Sequence, residues 1–183
     1  MCFGLYLFVV MKGYAILLFL SLTFITQAQK EYHKWYFGDE AGIDFVSGTA
    51  VPLTNGAMYS TDNPATISDS VGNLLFYSNG LEVWNRNHTL MPNGSGLMGN
   101  NTAGHTATII RKPGTTNLYY LFTLDAFAGA NGLRYSVVDM NLNGGLGDVV
   151  SGQKNLVVVA PCSEQVVPVK HANNTDIWIV THP

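Results

Sequence analysis

From Gln29 onward the apolar positions fall in short runs, and no stretch of ten or more residues sets them at helical spacing. What recurs is a strand, a turn of Gly, Asn, Asp or Pro, and another strand. One unit runs Ala65–Ser68, turn 69–73, Leu74–Ser78, then through Asn79-Gly80 into Leu81–Asn85. An Asn-Gly pair between apolar runs predicts a hairpin, because both residues tolerate positive φ. A second unit runs Thr106–Ile110, turn 112–117, Leu118–Thr123, Leu133–Asp139, and after Asn143-Gly144-Gly145 a last strand near Leu156–Val159. A third runs Val166–Lys170, turn 172–176, Ile177–Thr181.

These units repeat one pattern: an apolar strand, a polar turn and an aromatic-rich strand. Aligning Leu75, Tyr119 and Trp178 gives spacings of 44 and 59 residues. A period of about 40–50 residues with about four strands per unit is the mark of a β-propeller blade. The expected fold is therefore all-β, a partial β-propeller of about three blade-like antiparallel sheets after one leading strand segment; a β-sandwich of short strands is the alternative. Propellers close with about 4–8 blades, so the repeat count predicts a propeller truncated at Pro183. Such an open stack leaves sheet edges and blade faces half covered.

The first segment reads as an address. Lys12 precedes the apolar run AILLFLSLTFI, and Thr26 and Ala28 stand at the −3 and −1 positions of a secretory cleavage site that leaves Gln29 first. Residues 1–28 are the predicted signal peptide, with translation starting at Met11, and 29–183 the partial propeller. The expected location is secreted or cell-surface, with the membrane met only transiently through the signal. Cleavage leaves 155 residues, 8 cations against 12 carboxylates, and Cys162 as the one cysteine. A lone thiol beside Pro161 reads as a small buried hydrophobe.

Composition narrows the function classes. Charged residues make up 11% of the chain and hydrophobic ones 47%, against about 25% charged in an average domain. Nine Lys and Arg with a net charge of −3 argue against nucleic acid as a partner. His33, His88, His105, His171 and His182 form no ligand pair at zinc spacing; His105 and His171, heading or ending first strands of successive units, are read first as strand-end residues making local hydrogen bonds, with a shared rim as the alternative. Glu82, Asp125 and Asp139 are the carboxylates placed near strand ends, where a glycosidase would need two, although strand-end Asp ordinarily serves a turn. The turn at Asp69 misses the sialidase Asp-box spacing, because its glycine stands three residues on rather than two. Asp39, Glu40 and Asp44 are the candidate calcium cluster, read first as a solvated acidic turn. Trp35, Trp84 and Trp178 offer stacking surfaces for sugars, with packing between blades as the first expectation. No phosphate loop or nucleophile elbow is present. No catalytic, cofactor-binding or metal residue is assigned.

Several strings carry a resemblance: Trp35-Tyr36-Phe37-Gly38, Ala41–Phe45, Gly72–Gly80, Val83–His88 with Met91-Pro92-Asn93-Gly94, Leu133–Met140, and Val169–Asn173. In order, and over nearly all of 29–183, they resemble the N-terminal region of large secreted Bacteroidetes proteins of the gliding-motility-associated, type IX secretion sorting-domain kind. The resemblance implies a WD40-like or quinoprotein-like propeller, followed in that family by PKD-like or Ig-like modules and a sorting domain. It supplies no catalytic residues. Asp69-Ser70-Val71 also resembles the O-glycosylation motif of secreted proteins from that group. The expected function is a non-catalytic secreted or cell-surface interaction or adhesion module that meets an unknown extracellular glycan or protein. The alternatives are a fragment of an extracellular glycan-active enzyme and a structural leader of a surface adhesin.

Overall fold

The computed structural model of the chain describes residues 6–11, 14–19 and 30–183. The expected cleavage between Ala28 and Gln29 lies outside the described residues. The strands are β1 (Tyr6–Met11), β2 (Tyr14–Phe19), β3 (Lys34–Gly38), β4 (Ala41–Asp44), β5 (Val51–Leu53), β6 (Ala65–Ser68), β7 (Leu74–Ser78), β8 (Val83–Asn85), β9 (Ala107–Arg111), β10 (Leu118–Leu124), β11 (Leu133–Asp139), β12 (Asp148–Val149), β13 (Leu156–Val159), β14 (Val166–Lys170) and β15 (Ile177–Thr181). β1 and β2 form an antiparallel pair. The fold is all-β, and the described residues include no α-helix. No helix among them is long and apolar enough to cross a membrane.

Past residue 30 the strands make four open antiparallel sheets, each a meander in chain order: β3-β4-β5, β6-β7-β8, β9-β10-β11-β12, and β14-β15. The second, third and fourth coincide with the three predicted units, because their turns are specified locally. Asp69 Oδ1 accepts the Val71 and Asn73 N–H groups at 3.0 and 2.9 Å. Asn79 Oδ1 accepts those of Leu81 and Glu82, both at 3.0 Å. These side-chain bonds replace the ladder where the chain reverses.

Two details differ from expectation. The region read as a leading strand segment is itself a three-stranded sheet, so there are four sheets rather than about three. Its strands are only three to five residues long. Asp39 and Glu40, both at positive φ (51° and 63°), turn the chain between β3 and β4, a conformation usually given to Gly or Asn. The last strand of the middle unit is split: β12 and β13 share one edge of β11, pairing its end and its start respectively. The bulging segment between them is held by Val137 N–H donating to the Gln153 carbonyl at 2.8 Å.

Three apolar cores alternate with the four sheets. Tyr36, Met58, Leu74, Tyr77 and Trp84 fill the space between the first and second sheets. Ile67, Phe76, Val83, Ile109, Tyr119 and Leu121 lie between the second and third. Ile110, Phe122, Leu133, Cys162 and Val166 lie between the third and fourth, with Ile177 and Ile179 against them. Adjacent residues of a strand face opposite ways, so β7 sends Phe76 into one core and Tyr77 into the next. Four sheets in series around three cores differ from a two-sheet sandwich, which has one.

The first strands set the alignment. Asn63, His105 and Glu164 each stand two residues before β6, β9 and β14. They meet: Asn63 and His105 form a parallel bridge, the Thr106 N–H donates to the Asn63 carbonyl at 3.1 Å, and the His105 N–H donates to that of Glu164 at 3.0 Å. β6, β9 and β14 thus set out from one place in the same direction. β3 lies alongside β6 in the opposite sense, with the Ser68 N–H on the Glu31 carbonyl at 2.8 Å and the Tyr36 N–H on Thr66 Oγ1 at 3.0 Å.

Candidate functional site

Where β6, β9 and β14 end, their last residues border a groove of about 760 Å³. Asp69 and Ser70 come from the end of β6, Arg111 and Lys112 from β9, and Lys170 from β14. Glu31 and Tyr32 enter from the segment before β3, which starts at this end because it runs against β6. Ile67, Ile110, Tyr119 and Pro168 also line it.

The charges lie close enough to act on one buried phenol. Burial pushes Tyr119 above the usual tyrosine range, the Arg111 guanidinium pulls it down, and the Glu31 and Asp69 carboxylates push it up. For Asp69, burial alone would raise the carboxyl. Hydrogen bonds from the Asn73 side chain and backbone, and from Val71 and Gly72, outweigh burial and hold it below the usual range. Its oxygens are thereby committed to the β6–β7 turn. Glu31 is different: its Oε2 is buried without a hydrogen-bond partner, as is Ser68 Oγ on the residue whose N–H meets the Glu31 carbonyl. Buried polar atoms of this kind carry a desolvation cost until something pairs with them. Tyr32 stands exposed on the rim, its carbonyl accepting Trp35 Nε1–H at 2.7 Å.

A second polar cluster pins the first sheet to the second. Tyr36 and Tyr77 stack with centroids 4.9 Å apart, and Tyr77 stacks on Trp84 at 5.7 Å. The Tyr36 hydroxyl donates to Asn55 Oδ1 at 3.0 Å, Asn55 Nδ2 donates to His88 Nε2 at 2.9 Å, and His88 Nδ1 meets the Tyr77 oxygen at 3.1 Å. With Nε2 accepting, the neutral ring carries its proton on Nδ1 and donates it to Tyr77. The Ala57 N–H reaches the same oxygen at 3.0 Å. Burial pushes Tyr77 up to about 12, the Ala57 hydrogen bond opposing it and Tyr36 adding to it, and pushes His88 below the usual histidine range. Tyr36, Asn55, Tyr77 and His88 are each hydrogen-bonded within the cluster, which therefore reads as a fastening.

The residues singled out from the sequence scatter. β10 pairs β11 from Leu118↔Asp139 to Leu124↔Leu133, so Asp125 and Asp139 lie at opposite ends of the ladder. At about 3.3 Å per residue they are roughly 20 Å apart, against the roughly 5–9.5 Å between a glycosidase's two carboxyls. Both serve loops: Asp125 accepts the Ala126 and Asn131 N–H groups, and Asp139 accepts that of Asn141. Glu82 sits half-buried in the β7–β8 turn. Asp44 pairs with Lys34 at one end of the β3–β4 hairpin, and Asp39 and Glu40 form its tip beside a shallow hollow of about 400 Å³. The structure therefore does not bring the three acids together.

His105 and His171 are strand-end residues, as first read, each hydrogen-bonded to a nearby backbone group, and they do not share one rim. His105 Nδ1 lies 3.1 Å from the Val166 carbonyl at the start of β14, and His171 follows its end. Cys162 is buried in the third core, and burial pushes its thiol up. Of the tryptophans only Trp84 is core; Trp35 and Trp178 are 48% and 60% exposed, contrary to the expectation of packing.

Glu31, Tyr32, Arg111 and Lys170 were not singled out from the sequence. The signal was present in the repeat: polar residues follow each first strand at equivalent places, and equivalent strand ends converge. Comparison with known families, curated proteins and solved structures finds no match.

Proposed function

We propose that this chain is a non-catalytic interaction module of the cell surface or the secreted fraction, and that its sheets form part of a β-propeller like that of the large secreted Bacteroidetes proteins it resembles. The observation that carries the reading is the common start of β6, β9 and β14 at Asn63, His105 and Glu164. Propeller blades place their first strands side by side in this manner, around an axis whose ends gather the loops. The serial cores and the consecutive meanders support the same arrangement, and the reversed β3 makes the first sheet its irregular member. Binding surfaces on such scaffolds lie where loops of several sheets meet, and the groove is that place here. The separation of Asp125 from Asp139 speaks against a glycosidase pair built from them.

The test is an array of bacterial and plant glycans probed with the purified full chain, followed by product analysis of each bound sugar. Binding without turnover is the expected result. Turnover that disappears in Glu82→Gln or Asp125→Asn would replace this reading with that of a glycan-active enzyme.

A further inference from the structure

We propose that the groove at the ends of β6, β9 and β14 binds an anionic saccharide, its uronate carboxylate held by Arg111 and Lys170 and a sugar ring lying on Tyr32; the proposal rests on the groove being the module's binding surface. Both cations are exposed on its walls, and neither has a hydrogen bond or ion pair among the described residues. Most other cations there are occupied: Lys34 pairs with Asp44, Lys112 lies over the Tyr120 ring, Arg134 donates to the Asn131 and Asn155 carbonyls, and Lys154 to Asn93. With Lys112, the groove lining carries three cations against the Glu31 and Asp69 carboxylates, a net positive patch in a chain of net charge −3. Of the groove's two acids, Asp69 turns its oxygens to the β6–β7 turn, and the one ion pair among the described residues, Lys34 with Asp44, leaves Glu31 and both cations out.

The rest of the lining suits a sugar. Tyr32 presents an exposed aromatic face, and Thr116, Asn174 and Thr175 add exposed hydroxyl and amide groups for ring hydroxyls. A guanidinium matches a carboxylate in a two-bond fork, which favours a uronate over a neutral sugar. The opening of about 760 Å³ is within the usual size of ligand sites, about 300–1,000 Å³.

Calorimetric titration of the full chain with oligomannuronate, neutral mannooligosaccharide, dextran sulfate and poly-glutamate provides the test. Oligomannuronate is expected to bind roughly tenfold or more tightly than the neutral sugar, as one charge-assisted contact allows. R111A and K170A should each weaken it by about fivefold to tenfold, Y32A should weaken it too, and W178A should leave it unchanged. Circular dichroism of each variant separates lost binding from lost fold. Equal binding of the neutral sugar, tighter binding of poly-glutamate or dextran sulfate, or indifference to R111A and K170A would overturn the proposal. A neutral glycan lost in Y32A but not in R111A would sink the anionic assignment and leave the module reading standing. Silence toward every probe here and on the glycan array would count against both.

Discussion

Tyr77 shows how a single hydroxyl ties two sheets together. Its oxygen takes the Ala57 N–H and meets His88 Nδ1, so Tyr77→Phe leaves a backbone donor and an imidazole without their partner. The expected loss is about 1–3 kcal/mol, measured by urea denaturation. Gly80, at φ 86°, faces the Thr106 carbonyl, so Gly80→Ala combines a left-handed backbone with a steric clash and should cost roughly 2–4 kcal/mol. The same residues set a pH response. The folded pKa of His88 lies below its unfolded value because burial disfavours the cation. Its contribution is whole above the unfolded value of about 6.5 and is lost as pH falls below it. Asp44 and Asp69 act in the same direction at lower pH, because both are held below the usual carboxylate range. Their stabilisation is present above about pH 4 and disappears as they protonate. Thermal melts between pH 7 and pH 3 should show two successive falls in Tm, with the first removed by His88→Asn.

Among the elements, burial of the tryptophans separates strands that pack from strands that face outward. Trp84 is 7% exposed in the first core, so Trp84→Ala should cost about 3–5 kcal/mol. Trp178, opposite Val169 on the outer face of β14-β15, is 60% exposed, and its removal should cost less than about 1 kcal/mol. Chemical denaturation of the two variants distinguishes them. Both residues lie in similar aromatic-rich strands, and alternation alone marks two faces without saying which one a neighbouring sheet covers. That is why the packing expectation held for one tryptophan and not the other two. Apart from β12, the strands from Ala65 to Thr181 were legible because Asp69, Asn79 and the Asn173–Asp176 turn announce reversals through local side-chain bonds. The first sheet was not legible as a sheet. Its strands are short, and Asp39 and Glu40 adopt positive φ without the Gly or Asn that signals it. Likewise β12, two residues long, has no pattern of its own and exists through its pairing with Val138 and Asp139.

In the whole molecule, direction and order matter more than strand count. The repeat spacing pointed to equivalent units, and the common origin of β6, β9 and β14 gives that equivalence a geometric form. The groove follows from it: strands that start together and run together end together, and whatever polar residues end them share one opening. Arg111 and Lys170, 59 residues apart in sequence, meet there for no local reason, so their association could be read only after the strands were aligned. The two outer faces of the stack are its other conspicuous surfaces, with Trp35 and Phe37 on one and Val167, Val169, Trp178 and Val180 on the other, all exposed. Binding at those faces would be apolar and insensitive to salt, whereas binding in the groove should weaken as ionic strength rises, because exposed charges are screened within about 10 Å at 0.1 M salt. Hydrogen–deuterium exchange of the full chain with and without saturating oligomannuronate tests the central claim most directly. Protection confined to the segments around Tyr32, Arg111–Thr116 and Lys170–Thr175 is the predicted result; protection along β15 around Trp178, or none in the groove under saturation, would contradict it.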